Sequence, residues 1–266
     1  MTEFNIGLAK PDIREEDFED VLNVLRSGML VQGKKVQEFE TLSANWGSTT
    51  RAVSSGTAAL HASLLALEIG AGDEVIVPAF SFVASANSIE AVGAKAVFVD
   101  IDIDTFCIDA SQIEAAITPA TKAIMPVHEF GLCANMPEIM RIAEGHNIPV
   151  IEDAACALGA TIDGQFAGTW GVVNCFSLHP RKIITSGEGG LVMSENEALI
   201  QRIEQIRNHG ISYADGSMDF IGAGLNLRLT DFQAALVIPQ LNRLEEKLDR
   251  HQAIANRFNA EISNPL

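Results

Sequence analysis

Apolar residues recur along this chain in two alternating rhythms. Phe18, Val21, Leu22 and Leu25 fall at i, i+3, i+4 and i+7, which predicts a helix from Arg14 to Arg26 with that face buried. Val36, Phe39, Leu42 and Trp46 share one face of a second helix, from Lys35 to Trp46. From Thr57 onward, helical and strand-like segments alternate. Helices are predicted over 57–67, 84–92, 111–117 and 136–146, with continuously apolar strands at 74–77, 96–99, 123–127 and 148–152. Strands apolar on both faces and separated by helices predict an α/β fold, a three-layer αβα sandwich around a mostly parallel sheet. Ile162-Asp163-Gly164-Gln165 interrupts the alternation with a tight hairpin. Strands at 175–178 and 191–194 follow, then a helix over 195–208 and a glycine-containing loop from Gly210 to Gly224. One long helix closes the pattern, from Thr230 as its N-cap to Ile262.

Composition narrows the function classes. The chain has 266 residues, 47% hydrophobic and 20% charged, enough to bury a sizeable core. A net charge of −17 argues against nucleic acid as a partner, because a phosphate backbone calls for clustered Lys and Arg. An anionic ligand must therefore be met by a local set of donors. Cys107, Cys133, Cys156 and Cys175 show no zinc-like spacing, so no metal is expected, and a reduced cytoplasmic setting is the simplest expectation. Cys156 and Cys175 read as small buried hydrophobes. Met1 to Asn5 carries neither a basic nor an apolar leader pattern. The longest uncharged apolar run, Val75 to Ile89, contains Pro78, Asn87 and several serines and reads as strand, loop and helix rather than a membrane span.

Three elements carry candidate chemistry. Ser54-Ser55-Gly56-Thr57 lies at a strand-to-helix turn, where free backbone N–H groups and the helix dipole attract an anion. Asp153 closes the apolar strand Ile148 to Glu152, at the end where open α/β sheets bind ligands. Lys182 follows the strand-like run Phe176-Ser177-Leu178, just before Ser186-Gly187-Glu188-Gly189-Gly190. Each alone has an ordinary reading: an N-cap turn, an N-cap aspartate, a solvated lysine. In this order they are a phosphate cradle, a carboxylate for a protonated pyridine nitrogen and an amine for an aldehyde. Together these three parts would hold pyridoxal 5′-phosphate (PLP).

The chain also resembles the DegT/StrS family of fold-type I PLP enzymes, the nucleotide-sugar aminotransferases. The matching stretches are Ser54 to His61, Gly72 to Pro78 with Phe80-Ser81-Phe82, Gly93 to Asp100, and Ile151 to Ala155. They continue through Phe176 to Lys182, Gly187 to Gly190, Arg207 to Gly210, and Asn226-Leu227-Arg228 with Gln233 to Leu236. The resemblance implies that Ser55, Gly56, Thr57 and Ser177 hold the cofactor phosphate. Phe82 would stack on the ring, Asp153 would meet the ring nitrogen, and Lys182 would hold the aldehyde covalently. Asn226 would reach a neighbouring subunit's site in a homodimer with shared active sites. Cys156 stands where the family often has Gln or His near the ring hydroxyl, and Leu227 replaces a common aromatic.

Residues 1–240 are then the PLP-binding domain with an N-terminal helical segment, and 241–266 begin a helix toward a smaller C-terminal domain. Related sugar dehydratases carry histidine at the lysine position, and Lys182 argues against that branch. The implied reaction is a two-stage transamination. L-Glutamate gives its amino group, Lys182 moves the proton, and a keto group on a nucleotide-linked deoxysugar receives the amine. The competing readings are another fold-type I activity and a catalytically idle PLP-binding protein.

Overall fold

One twisted sheet organises the computed structural model, which describes residues 7, 9–44, 48–214 and 216–263. Its strands are β1 (Thr49–Val53), β2 (Glu74–Pro78), β3 (Lys95–Val99), β4 (Thr121–Ile124), β5 (Ile151–Asp153), β8 (Val173–Ser177) and β9 (Gly190–Ser194). The short hairpin β6 (Thr161–Ile162) and β7 (Gln165–Phe166) lies apart. A four-stranded sheet, β1-β9-β8-β5, and a three-stranded sheet, β3-β2-β4, meet through the parallel bridges Ile124–Val150 and Val127–Asp153. β9 runs antiparallel to both its neighbours, and every other pairing in this surface is parallel.

Side-chain alternation along the strands sends apolar groups to both faces. Val75 and Val77 join one cluster with α3 (Gly56–Ala66), α4 (Ala84–Ala91) and α7 (Glu197–Arg207), while Ile76 points to the other side. There it meets α5 (Ala110–Ala116) and α6 (Met136–His146). Ala52, Leu191 and Met193 pack on that opposite face against α2 (Lys34–Ser43) and α8 (Asp231–Asn242). The layers are therefore helix, sheet, helix, as the alternation predicts. All the parallel strands end on one edge, so Val53, Pro78, Asp153 and Ser177 open toward a common rim.

Four expectations change. The face Phe18, Leu22 and Leu25 of α1 (Phe18–Ser27) is exposed; Val24 is its buried residue. Periodicity identifies a helix but not which side a neighbour covers. The loop expected over Gly210–Gly224 contains a hairpin, β10 (Ile211–Ala214) and β11 (Ser217–Phe220). The helix expected over 230–262 is two helices, α8 and α9 (Leu244–Glu261), which meet at Arg243, four residues after Pro239 removes a backbone donor. Gln240 therefore lies inside α8, before the break. Cys156 is exposed, unlike the buried Cys175, and all four cysteines are free thiols. Asp163 and Gly164 both take positive φ, 52° and 80°, as the predicted Asp-Gly turn requires. Trp46 lies outside the described residues, as do Met1 to Asn5. Among the described residues, no helix is long and apolar enough to cross a membrane.

Candidate active site

Asp153 ends β5 with 4% of its surface exposed. Its Oδ2 accepts a hydrogen bond from Ser85 Oγ at 2.7 Å, and its Oδ1 accepts one from the Ala155 N–H at 3.2 Å. Its backbone is fixed on both sides, donating to Pro126 O and accepting from the His128 N–H. Burial pushes the carboxyl above the usual carboxylate range, and Ser85, Ala155, Lys182 and His128 pull less strongly the other way.

A group whose folded pKa is raised favours the fold below its ordinary pKa, and that contribution is lost as pH rises through the folded value. Asp153→Asn, nearly isosteric, removes this burden. At about pH 8 the cofactor-free variant should melt above the parent, while its affinity for PLP falls; a lower melting point would contradict the assignment.

Lys182 stands half-buried on a turn closed by its own N–H to His179 O at 2.8 Å. Its Nζ donates to Cys156 Sγ at 2.8 Å. Behind the turn, the fully buried Gln240 of α8 clamps the loop. Gln240 Oε1 accepts from the Thr185 N–H at 3.1 Å, and its Nε2 donates to Thr185 O at 2.8 Å. Helix α8 thus sets where the lysine stands.

The third element is the start of α3. Ser55 caps it, accepting from the Ala58 N–H at 3.0 Å. A Cβ on Gly56 would lie 2.9 Å from Ser177 Cβ, and one on Gly190 would lie 2.4 Å from Ser55 O. Contacts that short exclude side chains, so glycines bring the ends of β8 and β9 against the helix terminus. Thr57 is exposed on the first turn, and Ser177 is half-buried beside it. An eleven-residue helix with its N-terminal N–H groups open is an anion site.

Phe82 sits in the loop after β2 with 69% of its surface exposed. Its carbonyl accepts from the Ser85 N–H, so it lies one turn from the residue that holds Asp153. Asn226 is exposed, and its backbone bridges Asn208. The strand-like segment it belongs to passes the cradle, where the Ser54 N–H donates to Leu227 O at 2.7 Å.

Sequence reasoning missed a buried hub directly below Asp153. Glu152 and His128 are fully buried, with Glu152 Oε2 at 2.7 Å from His128 Nε2. Oε2 also accepts from the Gly168 N–H, and Oε1 accepts from the N–H groups of Trp170 and Gly171. His128 Nδ1 accepts from the Ala134 N–H, so the ring proton lies on Nε2 and points at Glu152. The available signal was the pair Glu152-Asp153 itself: adjacent strand residues face opposite sides, so one acid must be satisfied inside the protein.

A family model for the DegT/DnrJ/EryC1/StrS aminotransferases matches residues 11–264. The chain belongs to this family. A protein of Methanocaldococcus jannaschii without assigned function is 42% identical to it over 266 residues, spanning 96% of this chain and 69% of the relative. The GDP-perosamine synthase of Caulobacter vibrioides is 38% identical over 261 residues, spanning 97% of this chain and 70% of that enzyme. A candidate sugar aminotransferase of Streptococcus pneumoniae, solved in its PMP-form, superposes with a TM-score of 0.92 at 32% identity, over 97% of this chain and 70% of that one. The chain is a PLP-dependent aminotransferase. Its own residues fit that cofactor: an open helix terminus for the phosphate, a buried acid for the ring nitrogen, and a lysine amine at the same rim.

Proposed function

We propose that this chain moves an amino group from an amino-acid donor, L-glutamate, to a keto group of a nucleotide-linked deoxysugar. The observation that carries this reading is the convergence of Asp153, Lys182 and the α3 terminus on one sheet edge. The likeness to a GDP-perosamine synthase supports a nucleotide sugar as acceptor.

PLP supplies an electron sink and an aldehyde for the amine to be carried on. Ser55, Gly56, Thr57 and Ser177 bind its phosphate through backbone N–H groups and hydroxyls. Asp153 would pair with the ring nitrogen, held in orientation by Ser85 and the Ala155 N–H. Phe82 covers the ring and excludes water. Lys182 would anchor the aldehyde, and its amine would take the proton from the donor's Cα and return it as general base and acid. Cys156 holds the free amine in place between these roles.

Asn226, exposed in one chain, is the residue that enters a second chain's site, so the working unit is a homodimer with shared sites. The residues named for the cofactor all lie within 1–240, the proposed cofactor-binding domain.

Half-reactions test the function. L-Glutamate alone should bleach the visible band of the bound cofactor and release one keto acid per site. A nucleotide-linked keto-deoxysugar should then restore the band, in ping-pong order. Loss of carbon dioxide from the amino acid, or no spectral change with any amino acid, would overturn the reading in favour of another fold-type I activity or an idle binding protein.

A further inference from the structure

Of the four cysteines, Cys156 alone is exposed, and it is the one that faces an amine. The Lys182 Nζ lies 2.8 Å from Cys156 Sγ, a close approach for an atom as large as sulfur. Both ends of the pair are held by their own loops. The lysine turn is closed by the Lys182 N–H to His179 O, and Gln240 clamps it from behind at Thr185. The cysteine turn is closed by the Ala157 N–H to Ala154 O at 3.0 Å. Gly131 packs against it so closely that a Cβ there would lie 3.0 Å from Cys156 O. Two segments far apart in sequence thus hold a nucleophilic amine against an exposed thiol, which makes a reaction between them intramolecular.

The other three thiols are set apart from this chemistry. Burial pushes Cys107 and Cys175 up, and Cys133 up to about 11, which withholds the thiolate that attacks a peroxide. Cys175 Sγ is also engaged, 3.3 Å from Ser63 Oγ. Cys156 is open to an oxidant and has beside it an amine that can take the thiol proton.

We propose that Cys156 and Lys182 form a redox lock: hydrogen peroxide joins Cys156 Sγ to Lys182 Nζ, and the amine is withheld until a thiol frees it. The lock closes in two steps. The Cys156 thiolate attacks one peroxide oxygen and the O–O bond breaks. The sulfur, oxidised by two electrons, keeps one oxygen as a hydroxyl, and the other leaves as water with the thiol's proton. The neutral Lys182 amine then attacks that sulfur. An S–N bond forms, the S–O bond breaks, and hydroxide departs with an amine proton as water. The product is a sulfenamide, two hydrogens short of the starting pair. A thiol opens the lock by attacking the sulfur, which releases the amine, and a second thiol resolves the mixed disulfide and restores Cys156. The flexible four-carbon stem of the lysine supplies the movement from 2.8 Å to bonding distance. Gln or His, common at position 156 in the family, carries no sulfur and could not form this bond. That the lock keeps PLP out rests on Lys182 being the anchoring lysine; the bond itself does not.

The test uses the full-length chain and hydrogen peroxide. After treatment, remaining thiols are blocked and the digest is read by mass spectrometry. One cross-linked pair of peptides is expected, holding Cys156 and Lys182 and lacking two hydrogens, and dithiothreitol should return both peptides unmodified. In Lys182→Ala the oxidised sulfur meets no amine, so dimedone, which captures a sulfenic acid, should label Cys156; in the parent chain the cross-link should replace that label. Cys156→Ser should give no cross-link. PLP added after peroxide should give no yellow, Lys182-bound cofactor until dithiothreitol is supplied. Cys156 found oxygenated or bridged to another cysteine, with Lys182 unmodified in the folded parent chain, would overturn the proposal. So would a cross-link that survives excess dithiothreitol. A cross-linked chain that still takes PLP covalently on a different lysine supports the bond and contradicts Lys182 as the anchor, so the two failures are told apart.

Discussion

Lys182→Ala will slow amino transfer by at least about a thousandfold and abolish covalent attachment of the cofactor, while leaving the fold intact. The first part follows from the two tasks given to one amine, as anchor and as proton carrier. A positioned acid–base group alone contributes about 10²–10⁴-fold. Cys156 cannot replace it, because a thiol cannot form an imine with an aldehyde. The second part follows from how the turn is held. The contacts that fix it are backbone and Gln240 contacts: the Lys182 N–H to His179 O, and the clamp on Thr185. The side chain itself is half-buried and makes one hydrogen bond, to Cys156. Its removal should change stability by less than about 1 kcal/mol. Thermal denaturation with and without PLP, beside single-turnover kinetics, separates the two effects. A variant with near-parental turnover would remove Lys182 from the mechanism.

Glu152→Ala will be the most damaging substitution for the fold, at about 3–5 kcal/mol. The fully buried carboxylate accepts from three backbone N–H groups and from His128 Nε2. Alanine leaves these donors unpaired on both the segment after β4 and the loop entering β8. Each buried orphan costs about 1–3 kcal/mol, and the structure relaxes to recover part of the sum. Glu152→Gln is more informative than it looks. Each carboxylate oxygen accepts two hydrogen bonds, and an amide offers a single oxygen, so its NH₂ must face donors. The Gln variant should still lose about 1–3 kcal/mol. The damage should reach function, because His128 donates its backbone N–H to Asp153 O. PLP affinity should therefore fall together with the denaturant midpoint. A Glu152→Ala chain that melts within about 2 °C of the parent would contradict the hub.

Much of this site was legible because its chemistry sits at places the chain pattern marks. Asp153 closes an apolar strand, Gly56 opens an apolar helix, and Lys182 lies between a strand and a glycine-rich segment, so strand order alone brings them to one rim. The αβα layering was legible for the same reason: strands buried on both faces leave no other arrangement. The hairpin at 211–220 was hidden because Gly210, Gly216, Gly222 and Gly224 outweighed its apolar–polar alternation. The break at Arg243 was hidden because the helical apolar pattern continues across it, although Pro239 was a signal. The exposed face of α1 shows the limit of periodicity, which finds a stripe and not its cover. Ser85 and Gln240 could not be found, since each acts through a partner far away in sequence.

The central claim is that Lys182 carries the cofactor at a site built by Asp153 and the α3 terminus. It is tested most directly by borohydride reduction of the PLP-loaded protein, followed by mapping of the labelled peptide. The account predicts a yellow protein, one label per chain on Lys182, and no label when L-glutamate has bleached the protein before reduction. A label on another lysine, or a colourless protein whose Lys182 stays unmodified, would contradict it.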